Sequence, residues 1–122
     1  MSLRKVLVID DEVRILRFTS LALKASGYEV ITSATGKTAV ELAESIKPDI
    51  ILMDIFLADI DGFELLKKIR SSSDVPIIAF SARSGIANEA LSLGANDFLT
   101  KPFIPEELMR RIEAILPASG IG

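Results

Sequence analysis

The sequence predicts an α/β protein: a doubly wound parallel sheet of five strands with helices on both faces. Three observations point there. Strand-like apolar blocks alternate with helix-like amphipathic blocks along the whole chain. Three of the strand blocks, Val6 to Ile9, Ile50 to Met53 and Val75 to Phe80, are nearly continuous apolar runs, as suits strands buried on both faces. Four of the blocks end in an acid, a hydroxyl or a lysine, at Asp10-Asp11, Asp54, Ser81 and Lys101. In a parallel sheet those ends share one edge, so three carboxylates, a hydroxyl and an ammonium should converge in a single crevice.

The elements follow in order. Arg4 to Ile9 reads as the first strand, and Val13, Leu16, Ser20 and Leu23 give the next segment one apolar helical face that Gly27 ends. Glu29 to Ser33 is more mixed and fits an edge strand. Thr35 suits a helix N-cap, Ala39, Leu42, Ala43 and Ile46 line the second helix, and Pro48 follows it. Ile50 to Met53 is the third strand, with Gly62 at the start of the third helix. Val75 to Phe80 is the fourth strand, and the short fourth helix, Ala87 to Leu93, ends at Gly94. Asp97 to Leu99 is the fifth strand, and Pro105 opens a last helix striped by Leu108, Ile112 and Ile115. Residues 117–122 have linker composition, and Met1 to Leu3 reads in part as a leftover of cloning.

A chain of 122 residues with 49% hydrophobic content fits one domain with a sizeable core and leaves no room for a second catalytic domain. A formal charge of -3 argues against direct nucleic-acid binding and favours a protein partner. The chain has no Cys, which excludes a disulfide framework or a thiolate metal site. Its short basic start is not a signal peptide, and no apolar run approaches the roughly 18 residues of a membrane span. The expected location is the cytoplasm. There is no His, so any chemistry must run on carboxylates.

Asp10 and Asp11, followed by Glu12, read equally as helix capping when taken alone. With Asp54 beside them the balance shifts, because like charges at close range repel unless a cation sits among them. Mg2+ suits hard oxygen ligands and keeps waters and phosphate oxygens in its shell. Asp54 and Lys101 also read as a buried structural ion pair. Ser81 weighs against that, since a hydroxyl at the neighbouring strand end offers a phosphoryl oxygen a second donor.

Taken together, Asp10-Asp11, Met53-Asp54, Asp61-Gly62, Ser81-Ala82, Gly94-Ala95-Asn96-Asp97-Phe98 and Lys101-Pro102-Phe103 give the chain a close resemblance to the CheY-like receiver domain of bacterial two-component response regulators. The resemblance runs from Arg4 to about Leu116, with 117–122 as tail or linker. It implies a flavodoxin-like strand order 2-1-3-4-5. It implies that Asp54 accepts a phosphoryl group from a sensor histidine kinase or a histidine phosphotransfer protein. Asp10, Asp11, Asp54 and the backbone carbonyl of Phe56 would hold Mg2+, with Mn2+ able to substitute. Lys101 would pair with Asp54 at rest and with the phosphoryl group afterwards. Ser81 would be the switch hydroxyl, Ala82 would leave room for the phosphate and Phe98 would be the switch aromatic, although Phe98 also reads as plain core. Lys101-Pro102 would be a cis peptide. The implied function is a phosphorylation switch rather than an enzyme. It would act on an output partner or an effector domain outside this chain, through its fourth helix, fifth strand and fifth helix, as a monomer or a phosphorylation-dependent dimer.

Two departures stand out. The loop Leu57-Ala58-Asp59-Ile60-Asp61-Gly62 lacks the Pro that many relatives carry near position 58. Phe56 is bulky where a side chain borders the path of attacking water, with Arg83 expected near the same opening.

Rival functions are weaker. Thr35-Gly36-Lys37-Thr38 looks like the end of a P-loop, but Ile31 stands where that loop needs Gly. A flavodoxin phosphate loop would follow the first strand, not the second. A small phosphatase of the haloacid dehalogenase type shares an aspartyl nucleophile, Mg2+ and a lysine, and Asp59-Ile60-Asp61 superficially offers its paired acids. Its nucleophile would have to end the first strand. A pseudo-receiver that binds partners without phosphorylation ranks lower still, because every acid the chemistry needs is present.

Overall fold

A computed structural model describes residues 3–116. The expected tail at 117–122 and residues 1–2 lie outside the described residues. The elements are β1 (Lys5–Ile9), α1 (Val13–Ala25), β2 (Glu29–Ser33), α2 (Gly36–Ile46), β3 (Ile50–Asp54), α3 (Gly62–Arg70), β4 (Ile77–Ser81), a 3-10 turn (Ser84–Ile86), α4 (Ala87–Ser92), β5 (Asp97–Thr100) and α5 (Pro105–Ile115). The five strands form one parallel sheet of order β2-β1-β3-β4-β5. The predicted fold class and strand order are therefore those of the molecule, with the mixed Glu29–Ser33 segment on an edge.

Alternation along the three central strands divides the core into two layers. Leu7, Ile9, Ile51, Met53, Ile77 and Ala79 point to the face covered by Ala39 of α2, Leu65, Leu66 and Ile69 of α3 and Ala90 of α4. Val6, Val8, Ile50, Leu52, Ile78 and Phe80 point to the opposite face, under Leu16 and Leu23 of α1 and Leu108 and Ile112 of α5. Because both faces are covered, these strands carry polar side chains only at their ends: Lys5 at the start of β1, and Asp10, Asp54 and Ser81 at or just beyond the carboxyl ends. Functional groups therefore gather at an edge of the sheet, and the acids and the hydroxyl share the carboxyl one.

Element ends follow the expected punctuation, with some shifts. Gly27 and Gly94 adopt positive φ just past α1 and α4. At the end of α2 the left-handed residue is Lys47 itself, directly before Pro48. Pairing carries β3 as far as Asp54, opposite Phe80, and β4 as far as Ser81, opposite Thr100, each one residue beyond its apolar run. On α1 the buried polar residue is Thr19 rather than Ser20, and Val13 is exposed. The Thr19 hydroxyl is buried without a hydrogen-bond partner among the described residues. Thr19→Val, which keeps the shape and removes the orphan hydroxyl, is expected to raise unfolding stability by about 1 kcal/mol in urea titrations.

α4 is short and buries only Ala90. Its C-terminal end is pinned by Arg70, whose guanidinium donates to the Gly94 carbonyl at 2.9 Å and to Asn96 Oδ1 at 2.9 Å. No described helix is long and apolar enough to cross a membrane.

Candidate functional site

At the carboxyl edge of the sheet two of the predicted acids, Asp10 and Asp54, meet around one lysine, Lys101. Asp10 leaves β1 still aligned with β2, its N–H donating to the Ser33 carbonyl, and it is fully buried. Its Oδ1 accepts from the Glu12 N–H at 2.9 Å, which shapes the turn into α1. Asp54, the last residue of β3, is 5% exposed, and its Oδ1 accepts from the Phe56 N–H at 3.1 Å. The remaining oxygens of the two acids face Lys101, whose Nζ donates to Asp10 Oδ2 at 2.8 Å and to Asp54 Oδ2 at 3.0 Å. The Lys101 backbone is fixed beside the end of β4, its N–H donating to the Ser81 carbonyl at 2.7 Å. The Lys101-Pro102 peptide is cis.

Ser81 is completely buried at the end of β4, and its Oγ accepts from the Arg83 N–H at 3.0 Å. The hydroxyl is thus turned toward its own loop. Ala82 is exposed at the mouth of the crevice, where an open groove of about 460 Å³ runs past Phe18 and Phe103. Phe98, opposite Ala79, is half-buried against the α2–α3–α4 layer. Asp11 lies apart from the lysine, and its Oδ2 accepts from the Ala58 N–H at 2.8 Å.

Sequence reasoning left two contributors out. Glu12 Oε1 lies 3.5 Å from Lys101 Nζ, and single oxygens of Asp10, Glu12 and Asp54 lie within 4.8 Å of one another. The Asp-Asp-Glu run was the available signal, but its third acid reads first as an ordinary first-turn residue. The other is Asp59, whose carboxylate accepts from the Gly36 N–H at 2.9 Å and the Lys37 N–H at 3.0 Å. It caps α2 from the β3–α3 loop and ties down the segment that lacks the expected Pro.

Electrostatics follow from burial and pairing. For Asp10, burial outweighs the hydrogen bond from Lys101 and lifts its carboxyl above the ordinary value. For Lys101, burial pulls downward, but the hydrogen bonds to Asp10 and Asp54 more than offset it, so the ammonium is held charged beyond the usual lysine range. The bonds from Gly36 and Lys37 hold Asp59 below the ordinary carboxylate value. A carboxylate lowered by folding contributes stability at pH values above its unfolded pKa, and that contribution disappears as pH falls through the folded one. Asp59→Asn is therefore expected to lower stability near neutral pH and to lessen the loss seen on acidification below about pH 4. Urea titrations across that range read both effects.

The donor set fits a hard divalent ion: its side-chain donors are carboxylate oxygens, close together, with a cation already drawn among them. A buried acid at a strand end, flanked by acids, a hydroxyl and a lysine, is consistent with the phosphoacceptor site of a phosphorylation switch. Comparison with known proteins agrees. The response regulator receiver domain family matches residues 6–113. The chain is 40% identical over 121 residues to the alkaline phosphatase synthesis transcriptional regulatory protein PhoP of Bacillus subtilis, covering 97% of this chain and 50% of that protein. Among solved structures it resembles a CheY-like response regulator receiver domain protein from Methanospirillum hungatei, with 31% identity, 94% of each chain covered and a TM-score of 0.88. It also resembles the BeF3-activated DrrB receiver domain, with 28% identity, 96% of this chain and 100% of that chain covered and a TM-score of 0.86. The chain belongs to the response regulator receiver domain family of two-component systems. It spans about half the length of the curated relatives it matches.

Proposed function

We propose that Asp54 is the phosphoacceptor and that this chain, as a receiver with a core over about residues 4–116, switches partners according to its phosphorylation. The observation that carries the reading is the Lys101 ammonium held between Asp10 and Asp54, at 2.8 and 3.0 Å, beside the buried Ser81. The Asp54 carboxylate attacks phosphorus on a kinase's or phosphotransfer protein's phosphohistidine. The P–N bond breaks and an acyl phosphate forms, with no general base required.

Asp10, Asp11, Asp54 and the Phe56 carbonyl would hold Mg2+, or Mn2+ in its place, and the bound ion would offset charge on the transferring oxygens. Lys101 passes from the Asp54 carboxylate to a phosphoryl oxygen, a change of partner that suits a compact ammonium. Ser81 Oγ leaves the Arg83 N–H for the phosphoryl group, the Ala82 side chain leaves room for it, and Phe98 turns inward behind the moving hydroxyl. Uptake thereby stabilises one arrangement of the α4–β5–α5 face over another. That face carries the signal to an output partner or effector segment, either within a monomer or through a phosphorylation-dependent dimer. The relatives named as transcriptional regulators, of which this chain spans about half, support a link to transcription through such a partner. The setting is the cytoplasm, where the phosphodonor is presented.

Mass spectrometry after incubation with acetyl phosphate and Mg2+ tests the assignment. The wild type gains one phosphoryl increment and Asp54→Asn gains none; an unmodified wild type, or equal uptake by the variant, contradicts it.

Phe56 sets how long the phosphoryl group stays. The Arg83 guanidinium lies 4.6 Å from the centre of the Phe56 ring, so the pair spans the mouth between the loops that follow β3 and β4. Phe56→Asn is expected to shorten the aspartyl-phosphate lifetime several-fold, measured by loss of the mass increment with time. An unchanged or longer lifetime counts against a water-excluding role.

A further inference from the structure

We propose that Glu12 is a positioning residue for Lys101: it receives the ammonium when a divalent ion takes the oxygens of Asp10 and Asp54, and so eases metal entry. The inference rests on the metal-binding role proposed above for that pair.

At rest one ammonium serves three carboxylates, close to Asp10 and Asp54 at 2.8 and 3.0 Å and more loosely to Glu12 at 3.5 Å. The first two are buried and fixed by backbone donors at Glu12 and Phe56. Glu12 is different. Its side chain is 63% exposed, and no other hydrogen bond to it is found among the described residues, so it is free to follow the lysine outward. Lys101 is 10% exposed and stands at the rim of the groove to which Glu12 also contributes. A divalent ion held by Asp10 and Asp54 would compete with the ammonium for the charge of the same two carboxylates. Without a third acid, a displaced lysine would lose both hydrogen-bonded charge partners at once, and the metal would have to overcome that loss. Glu12 provides a partner one step away, at the edge of the crevice, where hydration of the charge is also recovered. From there the ammonium remains within reach of a phosphoryl group on Asp54.

The test is a Mg2+ titration of the full chain by isothermal calorimetry, as wild type, Glu12→Gln, Lys101→Met and the double variant. Glu12→Gln is expected to raise the Mg2+ Kd about threefold, the size of a partly exposed ion pair. Lys101→Met is expected to lower it by removing the competing cation, and Glu12→Gln should then have no further effect. Equal Kd values for wild type and Glu12→Gln overturn the inference whatever the lysine variants do. If Glu12→Gln weakens binding equally with and without Lys101, Glu12 acts on the metal directly and the positioning role is overturned. If wild type binds no Mg2+, the metal-binding assignment itself fails.

Discussion

Lys101→Met is expected to lose about 3 kcal/mol of unfolding stability in EDTA, because it leaves two buried carboxylates facing each other without a cation. For a domain of this size that amounts to a fall of roughly 10 °C in Tm. Asp10 and Asp54 are 0% and 5% exposed, so water cannot replace the ammonium. A divalent ion can, and Mg2+ should restore more stability to the variant than it adds to the wild type. Phosphoryl uptake should nevertheless stay slow even at saturating Mg2+, by about 100-fold, since a positioned charge is lost where the transferring oxygens develop theirs. Thermal melts by circular dichroism, with and without Mg2+, read the first effect, and the time course of the mass increment reads the second. A variant as stable as wild type in EDTA would show that the lysine does not balance these acids.

Gly62→Ala is the second large effect. A methyl group at this position would stand against the backbone of Ile55, the residue that follows Asp54, and backbone cannot swing aside as a side chain tip can. The Gly62 N–H donates to the Ile55 carbonyl at 2.9 Å, and Phe56 bridges to Asp61, so the β3–α3 loop closes on itself at this contact. Forcing it open should cost about 3 kcal/mol. It should also displace the Phe56 N–H from Asp54 Oδ1, and thus lower both Mg2+ affinity and phosphoryl uptake. Normal stability with normal uptake would mean that the loop has another way to close. The glycine is fixed by this close approach rather than by backbone freedom, since its φ is not among the positive values.

The chain's own chemistry explains which features could be read before the structure. Val6 to Ile9 and Ile50 to Met53 must be central strands, because only a sheet covered on both faces buries consecutive apolar side chains. Once the strands are parallel, Asp10, Asp54, Ser81 and Lys101 share an edge by topology alone, and the structure brings Lys101 against both acids. Contacts that depend on a single side-chain direction were not legible. Thr19 rather than Ser20 faces the core because of one step of helix phase. Asp59 reaches across to the first turn of α2, 22 and 23 residues away in sequence, and no local pattern encodes that reach. Glu12 sits where a helix start welcomes any acid, and only the placement of Lys101 gives it a second task. The Ala58 N–H likewise reaches the Asp11 carboxylate across 47 residues of sequence, a contact that no local pattern encodes.

Under the proposed function one carboxylate, on Asp54, becomes an acyl phosphate within this crevice. Borohydride reduction of the phosphorylated protein, followed by peptide mapping, reads it directly, because an acyl phosphate is reduced to an alcohol where it stands and a free carboxylate is not. Homoserine at residue 54, and at no other acid, is the expected result. Homoserine at Asp10, Asp11 or Glu12 instead, or at no position in protein that carries the mass increment, would contradict it.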